Sequence, residues 1–132
     1  MASRINAIAA YGPRIDLGRT AEMGDLVAYI ATRTGLNESG IRQVLLELRD
    51  AAGFYNLAGQ AVRLEGLGTY SPKISLAGTF GVGHRADKAL KNQLNTPGAF
   101  RGEIVNREHI GKTTDELVAL WDADHPDDPI ED

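Results

Sequence analysis

From residue 23 onward the apolar positions keep a helical period, and they change to a strand period after residue 60. Met23, Leu26, Val27 and Ile30 fall at i, i+3, i+4 and i+7, which predicts a helix with one buried face. Glu22 and Asp25 sit in its first turn, where the helix dipole favours acids, and Gly35 stops it. Asn37 is a good N-cap for a second helix, and Glu38 suits its first turn. Ile41, Val44, Leu45, Leu48 and Ala52 mark one face, and the pattern runs through Phe54 and Leu57 to Ala58-Gly59. The Gly-Leu-Asn link is so short that the two helices must form an αα-hairpin. Then Val62 and Leu64 alternate with Arg63 and Glu65, a strand closed by the turn Gly66-Leu67-Gly68. Thr69-Tyr70 opens a second strand running to Ile74 or Leu76. Ala77-Gly78 turns the chain, and residues 79–82 make a third short strand. Asp87 caps a short helix from Lys88 to about Leu94, ended by Asn95 and closed by Pro97-Gly98.

The flanks have a different character. Ile5, Ala7 and Ala9 alternate, Tyr11-Gly12-Pro13 interrupts, and Ile15 and Leu17 alternate again, which predicts two short strands over residues 4–18. Near the other end, residues 102–106 read as a strand around Ile104 and Val105. Thr113 and Glu116 form a capping box for a last helix whose buried face is Leu117, Leu120 and Trp121. His125-Pro126 ends that helix, and residues 127–132 read as a frayed acidic end. The expected organisation is an N-terminal extended segment (1–21), a central domain (22–95) and an acidic C-terminal extension (96–132).

Composition supports a folded chain: 42% of residues are apolar and 24% charged. With no cysteine, a disulfide framework, a thiolate zinc site and a Cys nucleophile are excluded, and a reducing compartment suits the chain. No apolar run approaches the roughly 18 residues of a membrane span, and the opening residues carry no apolar stretch of signal-peptide length, so the expected location is the cytosol. The net charge of -4 speaks, taken whole, against a partner with a phosphate backbone. Its distribution changes that reading. Residues 1–21 hold three arginines against one acid, and residues 22–95 hold eight bases against seven acids. Residues 96–132 hold three bases against ten acids. The acidity belongs to the C-terminal segment alone.

Catalytic and metal chemistry find little support. His84, His109 and His125 are too widely spaced for a ligand motif, and Asp124-His125 with Asp127 and Asp128 reads as a solvated cluster. Gly78, Gly81 and Gly83 belong to a hairpin, since no Gly-Lys-Ser/Thr and no long helix follow them. Trp121 reads as a core anchor. No nucleophile, base and acid form a motif, so the expectation is a non-enzyme without cofactor or metal.

The order helix, helix, hairpin, short arm, short helix carries a family resemblance. The run from Leu26 through Ile30 and Thr34-Gly35-Leu36 resembles the first helix of the HU/IHF histone-like proteins and its exit. Gly59-Gln60-Ala61-Val62-Arg63-Leu64-Glu65-Gly66-Leu67-Gly68-Thr69-Tyr70 resembles their G-x-x-V-x-L-x-G-F-G-T-F segment, with Leu67 and Tyr70 in place of two phenylalanines. Lys88-Ala89-Leu90-Lys91 and Asn95 resemble the last helix. The resemblance covers about residues 20–95. The added strand and acidic extension make the chain similar to divergent HU-like proteins.

That resemblance implies an α+β fold: a helical hairpin and a three-stranded antiparallel β-ribbon with a short arm. To these the chain adds an N-terminal strand and a C-terminal strand-helix extension. It implies an intertwined homodimer that binds double-stranded DNA with little sequence preference, as an architectural factor of the nucleoid. Lys73 falls at the arm base, Arg85 before the last helix, and Lys88 and Lys91 on it, so the resemblance makes these four the phosphate contacts. Lysines three apart on a helix are otherwise commonly a solvated face. The arm departs from the family pattern. Only 17 residues separate Tyr70 from Lys88, and the arginine-asparagine-proline tip is absent, which argues against an intercalated kink. Pro72 lies at the arm base and is no equivalent. The competing expectation is an HU-fold protein-interaction module that has lost DNA binding, or one whose acidic extension covers the basic surface.

Overall fold

A computed structural model describes residues 1–131, which leaves Asp132 of the acidic end outside the described residues. In chain order the elements are α1 (Arg4–Tyr11), β1 (Arg14–Asp16), α2 (Met23–Thr34), α3 (Glu38–Leu57), β2 (Val62–Leu64) and β3 (Gly68–Ile74). They are followed by β4 (Phe80–Ala86), α4 (Lys88–Leu94), β5 (Glu103–Val105), a 3-10 turn (Arg107–His109) and α5 (Thr114–Asp124). They divide into two compact units. One spans residues 20–100. The other combines residues 1–19 with residue 101 onward.

The central unit is built as the periodicity predicts. The Glu22 amide donates to Asp25 Oδ2 at 2.9 Å, which orders the start of α2. Gly35 ends α2 at φ 73°, a left-handed angle that glycine adopts without steric cost. Asn37 Oδ1 accepts from the Ser39 amide at 2.8 Å and starts α3 at once. Val27 and Ile41 are the buried residues of the two helices. β2, β3 and β4 form an antiparallel sheet in that spatial order. At Gly68 the chain passes so close to β4 that a Cβ would lie 2.5 Å from the Arg85 carbonyl oxygen, so only glycine fits. β4 runs through Ala86, well beyond the short strand expected over residues 79–82. Leu67 is half exposed in the β2–β3 turn, whereas Val62, Leu64 and Tyr70 are partly covered.

The second unit departs further from expectation. Residues 4–11 form a helix, and only Arg14–Asp16 is a strand. The alternation of Ile5, Ala7 and Ala9 also places Ile5 and Ile8 three apart, and a short alanine-rich run favours a helix by propensity. The Ser3 amide donates to Asn6 Oδ1 at 2.7 Å at its start. Helix α1 packs on α5, with Ala7 and Leu117 buried. β1 pairs antiparallel with β5, Ile15 opposite Ile104. Asn106, at φ 59°, donates its side-chain amide to the carbonyls of Ala10 and Gly12 at 2.9 and 3.1 Å.

Residues 127–131 are tied down, in contrast to the expected frayed end. The Ala2 amide donates to Asp128 Oδ1 at 3.0 Å, the Trp121 indole N–H to the Asp128 carbonyl at 2.7 Å, and the Ile130 amide to Asp122 Oδ1 at 2.9 Å. Ala2 and Ile130 also form a parallel bridge. Of the carboxylates that look like a solvated cluster in sequence, Asp128 accepts a backbone amide and Asp124 the Tyr11 hydroxyl.

Candidate nucleic-acid interface

Residues directly opposite one another in an antiparallel pair share a face, and successive residues alternate between faces. The register therefore sorts the ribbon into two surfaces. Tyr70 faces His84 and Val62, Pro72 faces Val82, and Ile74 faces Phe80. This is the apolar surface turned toward α3, with Gly53, Asn56, Leu57, Pro72, Phe80 and Val82 around a groove of about 500 Å³. The Asn56 side chain joins it to the helix, donating to the carbonyls of Gln60 and Tyr70 at 2.9 and 3.3 Å. The Tyr70 and His84 rings lie 4.6 Å apart.

The opposite surface is cationic. Thr69 pairs with Arg63 on one side and Arg85 on the other, so two guanidinium-bearing residues flank one hydroxyl across three strands. Ser71 pairs with Gly83, and Lys73 with Gly81. Lys73 thus shares a face with Arg85, four residues along the ribbon, or about 13 Å. Between them the surface carries only the Ser71 hydroxyl and bare glycine backbone. Lys73, Arg85 and Arg63 are all exposed.

Helix α4 follows β4 directly. Asp87 Oδ1 accepts from the Ala89 amide at 2.8 Å and caps the helix, while the Asp87 amide donates to the Leu67 carbonyl at 2.8 Å. Asp87 Oδ2 also lies 3.7 Å from an Arg63 guanidinium nitrogen. The Ala89 hydrogen bond, then the Arg63 charge, hold the Asp87 carboxyl below its ordinary pKa against the opposing effect of burial. Lys88 and Lys91, three apart, are exposed on one turn of the helix. Among the described residues none of Lys73, Arg85, Lys88 and Lys91 has an acidic partner within ion-pair distance.

The structure places Lys73 and Arg85 on one ribbon face, and Lys88 and Lys91 together on the helix that follows. Arg63 is not among the cations that the resemblance singles out. Its signal was present, since Arg63 alternates with Val62 and Leu64, but only the register shows that this alternation puts it in line with Arg85. No group of three or more potential metal-ligating side chains occurs among the described residues. No helix among them is long and apolar enough to cross a membrane.

No curated protein matches the chain. Residues 6–96, from α1 to just beyond α4, match the family described as HU-HIG, an HU domain fused to wHTH, Ig, or Glycine-rich motif. With its helical hairpin, its three-stranded ribbon and this match over most of its length, the chain belongs to the HU-HIG family and has, at that level, an HU-like DNA-binding architecture.

Proposed function

We propose that the protein is a non-enzymatic homodimer that binds duplex DNA through its phosphate backbone, with little sequence preference, as an architectural protein of the nucleoid. The observation that carries this reading is the cationic ribbon face. Lys73 and Arg85 stand on the surface turned away from α3, and Lys88 and Lys91 follow on α4, none of them neutralised by an acid. Such contacts position a duplex without reading its bases. The short arm, turning at residues 75–79 without a proline, suits gripping rather than kinking.

Dimerisation has its own support. The faces of α3 and the ribbon that periodicity assigns to a core remain open in a single chain. Val44 is 67% exposed, Phe54 68% and Phe80 78%. A second apolar groove, of about 440 Å³, lies between Ile30, Leu36, Ile41, Val44 and Leu45. A self-complementary partner covers such surfaces at the interface of a two-fold dimer.

The test is a titration of a fluorescent duplex at about 50 mM salt, repeated as salt rises. Eight contacts per dimer give a slope of log affinity against log salt approaching roughly -7. Absence of binding at tens of micromolar protein, a range where even non-specific binders engage, overturns the reading. Sedimentation at micromolar concentration checks the dimer. The second reading, a protein-interaction module, draws on the apolar arm end, where Ile74, Leu76 and Phe80 are exposed. It gains if neither the full chain nor a chain lacking residues 96–132 binds DNA. Autoinhibition by the acidic extension gains if only the truncated chain binds. Against a free acidic tail stand the partners of its carboxylates within their own unit. Asp115 pairs with Arg4, Glu116 with Lys112, and Asp124 accepts from Tyr11.

A further inference from the structure

We propose that Asp87 is a positioning residue, locking the α4 lysines and Arg63 of β2 into a single phosphate-facing surface. The inference rests on the DNA-binding reading above and deepens it, adding Arg63 to the contacts and naming what holds them in register.

A carboxylate beside Arg63, Arg85, Lys88 and Lys91 is out of place by charge alone, because it repels the phosphates the surface attracts. Its geometry supplies a reason for its presence. Asp87 is the single residue between the end of β4 and the start of α4, and three attachments converge on it. Its Oδ1 caps α4 through the Ala89 amide at 2.8 Å. Its own amide reaches the Leu67 carbonyl of the β2–β3 turn at 2.8 Å. Its Oδ2 stands 3.7 Å from Arg63. The carboxylate is mostly covered, with 16% of its side chain exposed, against 72% for Arg63. The guanidinium therefore remains open to a ligand while the carboxylate stays beneath it. Helix α4 has seven residues, too short to persist without a cap and tertiary contacts. When the cap goes, Lys88 and Lys91 lose their fixed position next to Arg85.

The test compares the full-length protein with Asp87→Ala and Asp87→Asn on one duplex across a range of salt, with circular dichroism confirming the fold. Asp87→Ala removes a negative charge, so charge alone calls for tighter binding. Positioning calls for the opposite: affinity falls about tenfold, as when hydrogen bonds to charged groups are lost. The salt slope also shrinks by roughly 2 for each α4 released, as the two lysines disengage. Asparagine caps as well as aspartate, so Asp87→Asn restores most of the binding and stays slightly weaker than wild type because Arg63 loses its anchor. The proposal is overturned if Asp87→Ala binds as tightly as wild type with the same slope. If the alanine variant fails to fold, Asp87→Asn decides: binding tighter than wild type shows the carboxylate to be merely repulsive and overturns the proposal. Failure of the wild type itself to bind removes the DNA-binding reading and this inference with it, whereas a binding wild type with indifferent variants removes only the inference.

Discussion

Tyr11 Oη and Asp124 Oδ2 stand 2.5 Å apart, the phenol donating to the carboxylate across the α1–α5 contact. That hydrogen bond, then burial, then the Asp124 charge, raise the Tyr11 pKa above its ordinary value near 10. A raised pKa means that the folded state holds the proton more tightly. The contribution is complete below the unfolded pKa and is lost as pH rises through the folded one. Alkaline titration above about pH 10 is therefore expected to loosen α1 from α5, and Tyr11→Phe to remove that dependence, read by tryptophan fluorescence of Trp121 beside it. Asp87 behaves in the opposite sense. Its depressed pKa makes the α4 cap complete at neutral pH and lost only as acid protonates it below about pH 4, so amide exchange of α4, corrected for intrinsic rates, is expected to stay level from about pH 5 to 8. Packing sets the other residue-scale expectation. Leu117 is buried against α1, and Leu117→Ala is expected to cost about 2–5 kcal/mol in its unit, measured by denaturant unfolding.

Strand β4 carries two glycines, Gly81 and Gly83, on its cationic face, and neither has a positive φ. A Cβ at position 83 meets only the Ser71 carbonyl oxygen, at 3.9 Å. Gly83→Val is accordingly expected to fold and to gain about 0.5–1 kcal/mol in a thermal melt, because glycine is costly in a strand. The same valine stands between Lys73 and Arg85, so duplex affinity is expected to fall while stability rises. What was legible in the sequence at this scale follows from length and capping. Helices α2 and α3 show several turns of one apolar stripe, bounded by Gly35 and Asn37, and their ends agree with the structure. Helix α1 was not legible, because its eight residues, three of them alanine, satisfy two periods. What settles its conformation is α5, more than a hundred residues away. The cations of the candidate site were legible as charges at marked places. The alignment of Arg63 with Arg85 was not, since it depends on pairing among three strands.

The molecule as a whole divides its charge between its units. The central unit holds the eight bases and seven acids of residues 22–95, while the acids of the C-terminal segment are built into a folded partner for the N-terminus. Removing residues 96–132 is thus expected to do more than lower the negative charge. The central unit keeps its helices, and residues 1–19 become sensitive to limited proteolysis because α5 and β5 are gone.

That interlocking of the two ends bears on how the chain is made. Arg14 must wait for Val105, its partner across the β1–β5 pair, and at the ribosome's rate of about 5–20 residues per second the delay is several seconds. During that interval the helical hairpin and ribbon can form their contacts within one chain, while Ala7, buried in the finished fold, still lacks α5. A chain interrupted before β5 and α5 therefore carries residues 1–19 loose beside a central unit whose own contacts are already formed. Emergence of β5 and α5 and burial of Ala7 are one event.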